Sequence, residues 1–303
     1  MNRNRILATL ALPALLTLGC EEGLVEPRIA EPGPPAAAKG STGGRIVFAS
    51  DRAGDFDIYV MNADGTALTN LTNYPGLDGG PAWSGDGKRI AFISERDGNR
   101  EVYVMNADGT GLTNLTNHPS DDINTDWSGD GKQIAFASDR DGNYEVYWMN
   151  ADGTGLTKLT NHAAADLGPT WSGDGKRIAF ASDRDGNDEI YVMNADGTGL
   201  TNLTNHPAAD FQPAWLGNGK QIAFGSNRQG NSEVYRMNAD GTGLTNLTNH
   251  PAADLQPAGS GNGKRVAFTS DRDGNDEIYV MNADGTGLTN LTHHPSTDFG
   301  ADW

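Results

Sequence analysis

One spacing governs this chain. Trp83, Trp127, Trp171, Trp215 and Trp303 stand 44 residues apart or at a multiple of 44, with Gly259 in the remaining slot. Met61, Met105, Met149, Met193, Met237 and Met281 keep the same step, and no insertion interrupts it. A fixed period of about 40–45 residues suits a propeller blade, a small sheet that buries its faces only against neighbours like itself. Six copies predict an all-β fold: a six-bladed β-propeller of four-stranded antiparallel blades.

The copy that begins at Asp166 shows how each unit divides. Strands are expected at Leu167 to Ser172, Arg177 to Ser182, Glu189 to Met193 and Leu200 to Thr204. Gly173-Asp174-Gly175, Asp185-Gly186-Asn187 and Asp196-Gly197-Thr198-Gly199 lie between them and carry the residues of tight hairpin turns. No stretch of ten residues has helical period. Ile178 and Phe180 mark one apolar face of the second strand, Ala179 and Ala181 the other, as a sheet between two neighbours requires.

The first repeat begins at its second strand, Arg45 to Ala49, and the last stops after its first, Phe299 to Trp303. The two partial copies add up to one blade. The C-terminal strand is therefore expected to complete the N-terminal blade from the inside and close the ring.

Residues 45–303 thus form the propeller. Residues 1–19 read as a signal peptide: Arg3 and Arg5 precede an apolar run, Ile6 to Leu18, too short to span a bilayer. The single cysteine, Cys20, follows Leu16-Thr17-Leu18-Gly19, which resembles a bacterial lipobox. Lipidation of Cys20 would leave residues 20–44, rich in proline and alanine, as a flexible tether. The expected location is the periplasm or outer membrane, with membrane contact through the lipid alone.

The segments Pro169-Thr170-Trp171-Ser172-Gly173-Asp174-Gly175-Lys176 and Ile178-Ala179-Phe180-Ala181-Ser182-Asp183-Arg184-Asp185-Gly186-Asn187 resemble the WD-like repeat of TolB-type propellers. So do Glu189-Ile190-Tyr191-Val192-Met193-Asn194 and Leu203-Thr204-Asn205-His206-Pro207. The likeness is to the propeller of TolB, without its N-terminal α/β domain. It implies a protein that takes a partner at one mouth of the axial channel.

Two rings of residues are candidates for that face. Asp78, Asp122, Asp166, Asp210, Asp254 and Asp298 recur five residues before the Trp position. Six carboxylates around one opening repel unless solvated, paired or bound to a cation. The alternative is a turn role, which Asp serves readily. His118, His162, His206, His250 and His294 form the second ring, with Tyr74 in the sixth place. As copies of one position they are expected to stand too far apart to share an ion. Calcium is the one cation with a plausible loop, Asp183 to Glu189, but hairpin chemistry explains those residues without it. Otherwise no cofactor is expected.

A net charge of −18 argues against nucleic acid and anionic membranes as partners, and for a protein with a basic patch. No nucleophile elbow, P-loop or His-Glu-x-x-His motif is present. The expected function is non-catalytic: a monomeric envelope module for protein binding or scaffolding. The alternatives are a carbohydrate-active enzyme, lyase or hydrolase, built on a propeller, and a structural domain of a larger assembly. Two irregularities are also informative. Trp148 and Arg236 replace Val on the third strand and suggest a contact patch or an exposed position free to vary. Gly259 in place of Trp predicts the softest junction of the ring, one that Gly259→Trp would stabilise.

Overall fold

The computed structural model describes residues 44–303 apart from Asn218. Strands β1–β24 of these residues assemble into six four-stranded antiparallel sheets. Blade four represents the others: β12 (Asp166–Trp171), β13 (Arg177–Ser182), β14 (Glu189–Asn194) and β15 (Thr201–Asn202), lying side by side in that order. The outermost strand has two residues, fewer than the five expected from the sequence. The Asn202 side-chain carbonyl accepts the amides of Thr204 and Asn205, both at 3.1 Å, and so ends the ladder. A short, capped edge strand presents little unpaired backbone.

Each innermost strand carries a bulge, between Leu167 and Thr170 in blade four. The bulged residue has positive φ in all six blades. It is glycine at Gly80, Gly168 and Gly300, but Asn124, Gln212 and Gln256 adopt φ of 58°, 51° and 52°. These three amides are buried, and two lace neighbouring blades together. The Gln256 backbone N donates to Gln212 Oε1, and the Gly300 backbone N donates to Gln256 Oε1, each at 3.0 Å.

Closure occurs as the partial repeats predict. β24 (Asp298–Asp302) pairs antiparallel with β1 (Arg45–Ser50), giving the order β24, β1, β2 (Asp57–Asn62) and β3 (Thr69–Asn70). Phe299, Ala301 and Trp303 are buried at this seam.

The core lies between blades. Trp171, Ile178 and Phe180 of blade four pack on Ala135 and Val146 of blade three. On its other face Ala179 and Ala181 receive Trp215 of blade five. Large side chains thus face one neighbour and small ones the other, so each indole seats in a shallow surface and the ring closes evenly. Trp148 packs against the cluster between blades three and four, and Arg236 Nη1 donates to the Ala283 carbonyl of blade six at 2.5 Å. Both side chains serve contacts between blades.

The packing at Gly259 argues against the expectation that Gly259→Trp would stabilise this junction. Leu216 stands where other repeats have serine. It ends β16 (Asp210–Leu216) and is buried with Val266 and Phe268 of blade six. A Cβ added to Gly259 would lie 2.6 Å from Leu216 Cδ2 and 3.0 Å from the Trp215 carbonyl oxygen. The leucine therefore occupies the deep part of the space an indole takes elsewhere.

Candidate functional site

Consecutive strands of a blade are antiparallel, so their connections alternate between the two ends of the sheet. In blade four, residues 183–188 and 203–209 emerge at one end, the loop face. Residues 172–176 and 195–200 turn at the other, the tight-turn face. Both candidate rings stand at the loop face.

The six aspartates are fully buried there, and each is held by an arginine two residues beyond the second strand. Arg184 Nη2 donates to both oxygens of Asp166, at 2.8 and 2.9 Å, while its Nε donates to Ser182 Oγ at 3.0 Å. The pairs Arg52–Asp298, Arg96–Asp78, Arg140–Asp122, Arg228–Asp210 and Arg272–Asp254 repeat this geometry. The arginine also lies over aromatic rings, 5.6 Å from the Phe180 centroid and 4.7 Å from Tyr191. Burial pushes the Asp78 and Asp298 carboxyls up, against the lowering pull of Ser94 and Ser50 and of the paired arginines. These carboxylates are paired inside the wall of the face, so they are not its outer surface.

The histidines lie in the loops between blades. The His206 backbone N donates to buried Glu189 at 2.6 Å, and His206 Nδ1 accepts the Ala208 amide at 3.1 Å. His118, His162, His250 and His294 make the same two kinds of bond. The ring nitrogen nearest the backbone is thus committed to loop structure. Among the described residues, no three His, Cys, Asp or Glu side chains are grouped as a metal would require. In the segment considered for calcium, Asp183 Oδ1 accepts the Ala165 amide and Asp185 Oδ2 accepts Tyr191 and Asn202.

The exposed charge of the face comes from other acids. Asp97, Asp141, Asp185 and Asp273 stand exposed on the loops between second and third strands. Hydrogen bonds, first from Tyr103 and then from Asn114, hold the Asp97 carboxyl below the ordinary carboxylate range. The partner tyrosines move oppositely: burial, then the adjoining carboxylate, pushes the Tyr103 hydroxyl up.

A third ring escaped the sequence reading. The last residue of each loop between second and third strands is Phe56, Arg100, Tyr144, Asp188, Ser232 or Asp276. Its carbonyl accepts the amide of the aspartate that opens the next innermost strand, as in Asp210 N to Asp188 O at 2.8 Å and Asp298 N to Asp276 O at 2.9 Å. The six side chains are half-buried at the loop face, each beside the start of the next blade's innermost strand. Phe56 meets Phe299 edge-on, with centroids 5.0 Å apart. Burial, with Asp271 nearby, pushes the Asp276 carboxyl up to about 6. The available signal was variation: five residue types at one position in otherwise near-identical repeats.

Six blades of this make, closed by the terminal strand, define a TolB-like β-propeller. The family described as the TolB beta propeller domain matches residues 69–167 and 158–257, together more than half of the chain, and the chain belongs to it. Two solved structures illustrate the likeness. TolB from Acinetobacter baumannii superposes with a TM-score of 0.75 at 23% identity, over 87% of this chain and 67% of that one. A putative TolB from Agrobacterium tumefaciens gives 0.69 at 23% identity, over 85% and 90%. An oligogalacturonate lyase in complex with manganese gives 0.61 at 14% identity, over 87% and 78%. At these identities the likeness is one of fold. No curated protein matches the sequence significantly.

Proposed function

We propose that this propeller is a non-catalytic binding or scaffold module of the cell envelope, exported and anchored through a lipid on Cys20, that receives a protein partner on its loop face. The observation that carries this reading is the distribution of change among the repeats. Positions that build the blade are nearly constant, whereas Phe56, Arg100, Tyr144, Asp188, Ser232 and Asp276 differ from blade to blade on one face. A scaffold alone has no use for five different residue types at one position of six repeats. A surface fitted to one asymmetric partner does, and loops on a rigid frame are where binding usually resides. The exposed aspartates favour a basic patch on the partner, so association weakens as salt rises.

The test compares capture of envelope proteins by the wild type, by Arg100→Glu with Tyr144→Ala, and by a variant with Lys88, Lys132 and Lys176 changed to Gln on the tight-turn face. Loss of capture in the first variant and its retention in the second support the reading; the opposite pattern moves the site to the other face. Cleavage of a polyuronide by the purified protein would replace this reading with an enzymatic one.

A further inference from the structure

On the tight-turn face the junction of blades five and six departs most from the repeat. At four other junctions an arginine that opens the second strand lies over the indole of the next blade; one of them is Arg265, 5.3 Å from the Trp303 centroid, beside a second cavity of about 480 Å³. Arg45, Arg89 and Arg177 donate to the carbonyls of Gly87, Gly131 and Gly219 in the next blade, at 3.5, 3.1 and 2.8 Å. They lie over Trp83, Trp127 and Trp215 with 4.7, 4.6 and 4.6 Å to the ring centroids. Between blades five and six the arginine is replaced by Gln221 and the indole by Gly259. The junction of blades three and four loses only the arginine, at Gln133, and keeps Trp171.

Leu216 refills the deep part of the vacated groove, and its outer part stays open. A cavity of about 570 Å³ remains, lined by Leu216, Lys220, Gln221, Asn238, Asn262 and Gly263 among others. This volume lies in the range of small-molecule sites, roughly 300–1,000 Å³.

The charge around the cavity changes with its shape. Elsewhere the tight turn carries an aspartate two residues before its lysine, and the two pair: Lys88 with Asp86 at 3.5 Å and Lys132 with Asp130 at 3.3 Å. Asn262, which lines the cavity, replaces that aspartate in blade six, and Asn218 stands at the same repeat position in the sequence of blade five. The Asn262 side-chain oxygen still accepts the Lys264 amide at 3.0 Å, so the turn keeps its hydrogen bond and loses only its charge. Lys220 and Lys264 are therefore the turn lysines whose own turn supplies no carboxylate, in a chain of net charge −18. The exchange of both aspartates coincides with loss of both groove-filling side chains. Blade geometry requires neither change, because the other junctions do without them.

We infer that this notch binds a small organic anion, its carboxylate or phosphate toward Lys220 and its body against Leu216 and the amides of Gln221 and Asn238. The site lies opposite the loop face and is independent of the protein-binding reading.

Amide shifts of the full-length protein, titrated separately with glucuronate and with inorganic phosphate, test this. The expected result is saturating shifts at Lys220, Gly261 and Gly263, absent from Gly129 and Gly131 in the blade-three turn. Saturation by glucuronate alone marks a carboxylate ligand, and by phosphate alone a phosphate. The shifts should vanish in Lys220→Gln, and in Gln221→Arg, which returns a guanidinium to the groove; they should persist in Lys132→Gln. Absence of saturating shifts with both probes, equal shifts at the blade-three turn, or their survival in Lys220→Gln would overturn the inference. If Gln221→Arg does not fold, Lys220→Gln decides alone.

Discussion

Gly259→Trp restores the residue found in five of six repeats, yet the structure predicts that it destabilises the protein. The new Cβ would sit 2.6 Å from Leu216 Cδ2 and 3.0 Å from the Trp215 carbonyl oxygen, before any atom of the indole is placed. The leucine tip can rotate, but the carbonyl belongs to an innermost strand and cannot. Overpacking of this kind costs about 1–3 kcal/mol. For a fold of this size that is roughly a 2–10 °C loss in melting temperature. Leu216→Ser alone empties a buried site and costs about 2–5 kcal/mol. The two changes together recreate the serine and indole of the other junctions, so the double variant should unfold near the wild type. The singles then fail to add by at least about 2 kcal/mol, a coupling that neighbouring residues can show. Urea or thermal unfolding of the four proteins measures it. A Gly259→Trp protein more stable than wild type, or additive single effects, would refute the account of Leu216 as the substitute for the indole.

Three further outcomes follow from the geometry. Deletion of residues 296–303 removes β24, its buried Phe299 and Trp303, and the partner of Arg52, so thermal unfolding should shift down strongly; an unchanged transition would contradict closure by strand exchange. Asp166→Asn leaves the Arg184 guanidinium buried without its carboxylate and should cost about 3–5 kcal/mol, read by urea unfolding; a neutral effect would return the aspartates to the exposed surface. Asp276 has its carboxyl raised to about 6, so the folded state holds this proton more tightly than the unfolded chain does. Stability from this group is therefore lost as pH rises from about 4 to about 6, and Asp276→Asn should be more stable than wild type above that window, by on the order of 1–3 kcal/mol, and equal to it near pH 4.

The architecture was legible because it depends on features that repeat. The indole step, the Asp-Gly turns and the two-sided apolar strands each occur many times, and the partial repeats at the two ends foretold the pairing of β1 with β24. The outermost strand was drawn too long because Asn202 ends it through a side-chain bond that strand propensity does not register. The site was harder to read for the opposite reason. The most regular polar residues, the six aspartates, drew attention to the right end of the sheet, but regularity there reflects a structural need shared by every blade. Their partner arginines lie 18 residues away in five blades, a spacing that becomes a contact only once the first two strands pair. The varied ring at Phe56, Arg100, Tyr144, Asp188, Ser232 and Asp276 departs from the pattern, and a period-based reading discounts departures. Leu216 and Gly259 illustrate the same blindness: each looks like a defect alone, and only the packing shows that one fills the space left by the other.

The central claim is that the loop face is the surface that meets a protein partner. The most direct measurement places a photo-cross-linking amino acid at position 144 on the loop face or at position 132 on the tight-turn face, in the protein expressed in its cell envelope. The account predicts a discrete protein adduct from position 144, weakened by raised salt before irradiation, and none from position 132. A discrete adduct from position 132 with none from position 144 would contradict it.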